Sequence, residues 1–227
     1  MKKTVFVLGA VCLILAFAGC ASYSYVPVKD DQIMVIADRG MDVAVLEDDM
    51  MRITVRAADE KQFIKFLIEF KNKTDDVIRI EENCAVIKQG NYPDDMIPAK
   101  ITFTATEFIK HEADAAVAMA CCLAMGSAAT TASAIRHPSS SNRLDAHIAN
   151  ENMREYTQDT EAYLQYLKNS LLFESDILSG GEYAGLIYGI LWKPGSDSVV
   201  KTNPTMVSIT IHVNDKEYIF MFNRNEN

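Results

Sequence analysis

The chain is expected to fold as an α+β protein, mainly an antiparallel β-sandwich with an inserted helical segment. Two observations carry that expectation. Short Val- and Ile-rich runs bounded by Asp, Asn, Gly or Pro recur over residues 32–110 and again over 173–227. Residues 111–172 between them change character, first Ala-rich and then amphipathic at helical spacing. With 227 residues and 49 % hydrophobic content, the chain is long and apolar enough for one substantial core. The net charge of −9 argues against a nucleic-acid binder, which needs a basic face.

In chain order, Lys2 and Lys3 form a short basic region, Val5–Ala18 is an apolar run, and Phe17, Ala18, Gly19 and Cys20 close it. The run is shorter than the ~20 residues of a comfortable bilayer span, so it reads as a secretion signal. This segment resembles the bacterial lipoprotein precursors, whose lipobox of apolar, small, small, Cys directs lipidation and cleavage. Phe17 stands where the family prefers Leu. The resemblance covers about the first tenth of the chain. It implies that residues 1–19 are removed and that Cys20 becomes the lipid-bearing N-terminus. Ala21, not Asp, follows Cys20, a pattern that implies the outer membrane if the host has one, otherwise the outer face of the cytoplasmic membrane. Several acyl chains would hold where one binds marginally.

Residues 20–31 read as a lipid-proximal tether. Strands are then expected at 32–37, 42–47 and 51–57. The clearest follows: Ile64, Phe66, Ile68 and Phe70 alternate with Lys65, Leu67, Glu69 and Lys71, which places the first four on one face. Residues 77–80 are expected to pair back on this strand across the Asn72–Asp76 turn. Residues 84–89 and 100–108 read as further strands, and 182–192, 205–213 and 216–223 complete the set. Asn214-Asp215 marks a hairpin, with Tyr218, Phe220 and Phe222 opposite Ile209, Ile211 and Val213. Roughly seven to nine short strands at 8–12-residue spacing point to an immunoglobulin-like sandwich. Residues 192–204 read as a surface loop.

The helical insertion is the most unusual part. Ala116, Ala120, Ala124, Ala128 and Ala132 recur every four residues, with Ala118, Cys122, Gly126, Thr130 and Ala134 beside them. Small side chains in rows permit close backbone approach. Residues 115–135 are long enough to span a membrane, but Gly126, Ser127, Thr130, Thr131 and Ser133 oppose insertion. The better expectation is a helical hairpin with residues 146–170 joined through residues 137–143, or self-association with another copy or protein partner. A helix lying against the sandwich is a third arrangement.

No motif for catalysis is present. His111, His137, His147 and His212 lack metal-ligand spacing. Acid pairs such as Asp48-Asp49 and Asp94-Asp95 fall in turns, where Asp is favoured for its own hydrogen bonding. Their role as calcium ligands or as a hydrolase carboxylate pair is a secondary expectation. Trp192 with Tyr183 and Tyr188 is considered as a glycan platform, with sandwich core as the plainer role. Cys84, Cys121 and Cys122 remain after Cys12 leaves with the signal and Cys20 takes lipid. They read as buried free thiols, with a Cys84 bridge to Cys121 or Cys122 left open. No cofactor is expected. The expected role is a lipid-anchored envelope protein acting as a structural or interaction module, with ligand binding and hydrolysis as alternatives.

Overall fold

A computed structural model describes residues 23–226, less 39, 61, 137–139 and 194–201. The expected signal segment, Cys20, His137 and most of the expected 192–204 loop lie outside the described residues.

Two antiparallel sheets face each other, as the alternation requires. One has the order β1 (Tyr23–Pro27), β13 (Lys216–Glu226), β12 (Met206–Val213), β7 (Ala85–Gly90), β8 (Ile97–Pro98). The other has the order β2 (Ile33–Asp38), β3 (Met41–Glu47), β4 (Met51–Glu60), β5 (Phe63–Asn72), β11 (Glu182–Ile190), β9 (Ile101–Thr102). Ile64, Phe66, Ile68 and Phe70 of β5 all point into the shared core. They meet Ile209, Ile211, Phe220 and Phe222 from the opposite sheet, and the Phe66 and Phe222 rings lie 5.8 Å apart. The β12–β13 register sets Ile209 beside Phe220 and Ile211 beside Tyr218, and Asn214 takes the left-handed turn conformation (φ 53°).

Three local expectations give way. Residues 23–27 are not free tether: they form β1, zipped antiparallel to β13 from Tyr23–Glu226 to Pro27–Phe222. Burial of Tyr25, whose hydroxyl donates to Asp59 at 2.6 Å, and the Arg224 guanidinium 3.5 Å over the Tyr23 ring hold it there. Second, β6 (Ile78–Ile80) does not return to β5 but pairs with β10 (Ser175–Ile177). The cause is Asn72, fully buried, whose side-chain amide donates to the carbonyls of Asp76, Ile177 and Leu178 while its oxygen accepts from the Thr74 amide. That clamp binds the turn to the distant segment and diverts the chain out of the β5 sheet.

Third, residues 100–108 are not one strand. Only Ile101–Thr102 pairs, and α1 begins at Ala105, running to Arg136. Thr104 and Glu107 close a reciprocal capping box: the Glu107 amide donates to Thr104 Oγ1 and the Thr104 amide to Glu107 Oε2. The second helix, α2, spans Ser140–Ser170. The helical insertion therefore starts six residues before the expected boundary at 111.

The helices form the expected hairpin. Covered positions on α1 include Ile109, Ala116, Ala120, Leu123, Ser127, Thr130 and Ala134; on α2 they include Ala146, Ala149, Met153, Tyr156, Thr160, Tyr163 and Leu167. Steps of three and four make a heptad seam, with small side chains from α1 receiving larger ones from α2. The expected four-residue ridge is corrected here: 4 × 100° overshoots a turn by 40°, so the row drifts. Ala116, Ala120 and Ala124 are covered, whereas Ala128 and Ala132 face out.

Candidate interaction surface

The hairpin is built from its base. Phe63 of β5, Tyr188 and Leu186 of β11, Phe103, Phe108, Leu167 and Leu171 form a second core on the outer face of the six-stranded sheet. Phe108 stacks on Tyr188 with centroids 4.1 Å apart and planes 3° from parallel, and Phe63 meets Phe108 edge-on at 5.1 Å. His111 packs against this cluster, 5.3 Å from Phe103, with Nδ1 3.3 Å from Glu112. Glu60 accepts from Lys65 (2.5 Å) and from the Tyr188 hydroxyl (3.2 Å). Burial, reinforced by the Glu60 charge, pushes the Tyr188 phenol upward, and burial with the Glu112 and Glu60 charges does the same for Tyr163. The two phenols are packed and neutral within this aromatic cluster, an arrangement that fixes the angle at which the hairpin leaves the sheet.

Beyond the base, the two helices differ sharply. α2 presents Glu151, Arg154, Glu155, Asp159 and Glu161 to solvent. α1 carries no charge from Ala115 to Ile135, and its outward side exposes Val117 (64 %), Met119 (51 %), Met125 (66 %) and Ile135 (75 %). Cys121 and Cys122 share that exposed side, so two of the three thiols expected to be buried are not. Cys84 alone is buried, and all three are free. Burial pushes the Cys84 thiol up to about 12. Midway along the hairpin, the buried Ser127 hydroxyl donates to the side-chain oxygen of Asn150, locking the register.

The other candidate groups do not gather. Asp95 accepts from the amides of Asn91 and Tyr92, so it serves its own turn, and Asp94 sits beside it in a one-turn 3₁₀ segment. Asp48 caps the β3–β4 turn through the Met50 and Met51 amides. His212 lies 3.6 Å from Glu217 at the surface, and His147 is exposed on α2. Among the described residues no three His, Cys, Asp or Glu side chains are placed to hold a metal ion. Tyr183, Tyr188 and Trp192 do not make a shared platform: Tyr188 is buried under the hairpin, the Tyr183 hydroxyl exchanges hydrogen bonds with the Phe173 backbone, and Trp192 lies under the Lys100 ammonium.

A groove of about 570 Å³ runs beside α2, lined by Met41, Arg56, Leu67, Tyr166 and Leu186 among others. Its cations are already matched, Arg56 by Asp38 and Glu69 and Lys65 by Glu60. The hairpin face was half legible in sequence: the charge-free run is plain, but the base residues Phe108 and Tyr188 are not. The signal for the helix start was the Thr104-Ala105-Thr106-Glu107 capping sequence. Comparison with known protein families, curated proteins and solved structures finds no match to this chain.

Proposed function

We propose that this chain is a lipid-anchored cell-envelope protein that acts by binding another protein surface through the outward face of α1, without catalysis. The anchor rests on the lipobox residues Phe17–Cys20. The binding role rests on one observation, a charge-free apolar helix face left uncovered on a firmly based hairpin. Large exposed apolar patches on a folded domain commonly mark interaction sites.

By length and composition α1 also qualifies as a membrane span. Its packing against α2 favours the interaction role, because spanning as a pair would carry Glu151, Arg154, Glu155, Asp159 and Glu161 into hydrocarbon.

Two measurements test the reading. Metabolic labelling with palmitate should mark the wild-type chain and leave Cys20→Ala unlabelled; an unlabelled wild type removes the anchor. Peptide-resolved maleimide labelling in intact cells should show Cys121 and Cys122 protected relative to urea-unfolded protein. Full reactivity in cells would mean that nothing covers the face.

A further inference from the structure

We propose that the occupant of the outward α1 face is a second copy of the same chain, docked antiparallel about a two-fold axis at Met125. This rests on the reading of that face as a binding surface and names the partner.

The first support is the spacing of the exposed residues. Asp114, Ala118, Cys121, Met125, Ala128 and Ala132 are all exposed and follow one another at steps of four, three, four, three and four. This is a second heptad seam, on the side of α1 away from α2. One helix thus carries two coiled-coil faces, of which the fold uses one.

The second support is symmetry. An isologous contact must map onto itself when the partner is turned end for end. About Met125, Ala118 maps to Ala132, Cys121 to Ala129, and Asp114 to Arg136, with every one of these residues exposed.

The third support is charge. Asp114 and Arg136 are the charged residues that bound the neutral stretch. Antiparallel docking sets Asp114 of each copy beside Arg136 of the other, twice. Parallel docking would set Asp114 against Asp114 and Arg136 against Arg136, and would also align the helix dipoles unfavourably.

The side chains favour a helix over a lipid surface. Interfacial helices flank their apolar face with Lys and Arg and bury Trp, Phe or Leu. Here the seam holds Ala, Cys and Met, which suit close helix–helix approach. The assembly is a four-helix arrangement with the two α1 helices central and the two charged α2 helices outside.

The register makes a specific chemical forecast. Cys121 faces residue 129 of the other copy, so the two Cys121 residues lie about 12 Å apart along the axis and the two Cys122 residues about 9 Å. Both gaps are too long for a disulfide. The chain, extracted in mild detergent, should sediment as a dimer, at twice the mass of its own monomer. Mild copper oxidation should leave wild type uncrosslinked through these cysteines. Ala129→Cys should crosslink through Cys121 or the adjacent Cys122, which lie level with it and one residue away, and replacing both Cys121 and Cys122 by Ser should abolish the product. Ala128→Glu, at an exposed position, should keep its helical circular dichroism while weakening the dimer at least tenfold.

A wild-type Cys121–Cys121 crosslink would mean parallel docking and would overturn the proposal. So would a monomer at micromolar concentration. In a monomer, protection of Cys121 and Cys122 in cells would leave the binding reading standing with a different occupant, and protection that depends on an intact bilayer would identify lipid. A monomer with both cysteines reactive in cells would end both readings.

Discussion

Phe108→Ala tests the claim that the hairpin is a fixed part of the fold and not a loosely hung appendage. Phe108 is 1 % exposed and lies flat on Tyr188, with Phe63 and Phe103 edge-on at 5.1 and 5.4 Å. Truncating a buried Phe to Ala costs about 3–5 kcal/mol when the surroundings cannot collapse. They are constrained here: Tyr188 is tied to Glu60 and to the β5 register, and Phe63 belongs to β5 itself. That range already contains the lost aromatic pairs, each worth ~0.5–1.5 kcal/mol. A figure of about 4 kcal/mol is therefore expected, with the melting point falling by about 10 °C for a chain of this size. Urea unfolding of the full chain in mild detergent measures the change. Hydrogen exchange should localise the first loss of protection to residues 105–115 and 160–172, ahead of β5 and β12. A cost below about 1 kcal/mol, or uniform loss of protection, would refute the argument that this cluster seats the hairpin.

Four other outcomes follow from the geometry. Gly185→Ala should cost about 3 kcal/mol in urea unfolding, because the added Cβ would lie 2.5 Å from Leu172 Cα and 2.7 Å from its nitrogen, where backbone cannot swing aside. Gly126→Ala, with open space around it, should instead gain up to about 1 kcal/mol. Asp48 should govern part of the acid limb. Burial opposes its ionisation, yet Lys216, the Met51 and Met50 amides and the Tyr218 hydroxyl donate to it and hold it at about 2, below the ordinary 3.8. Its folded value is the lower one, so its contribution is complete above the unfolded value and lost as pH falls through about 2. Asp48→Asn should cost about 1 kcal/mol at neutral pH after allowance for solvent screening, and should flatten the stability profile below pH 4. Cys84, buried and raised to about 12, should resist iodoacetamide at pH 8 in the folded chain and react in urea; equal rates would contradict its placement in the core.

What the sequence revealed follows from the range over which each signal acts. The β5 alternation is local and strong, so Ile64 to Phe70 could be placed on the core face from the sequence alone, as could the hairpin at Asn214. The β6–β10 pair depends on Asn72 reaching a segment more than a hundred residues away, and nothing local in residues 77–80 reports that. Residues 100–108 misled because Ile101 and Phe103 alternate like a strand, while the capping box that starts the helix lies within the same nine residues. In the candidate surface, the missing charge was visible, but its two faces were not. A four-residue count of small side chains and a three-four count overlap for two turns and diverge after that, and only the packing against α2 decides between them.

The strand β1 joins the beginning of the described chain to its end. Tyr23 sits opposite Glu226, and the neighbour of that last strand, β12, lies at the middle of its sheet. A pull on the N-terminal side is thus delivered to the framework of the sandwich rather than to a loop. Trimming the final residues would leave β1 without its mate, so damage at the C-terminus would be felt first as a slackened leash at the N-terminus.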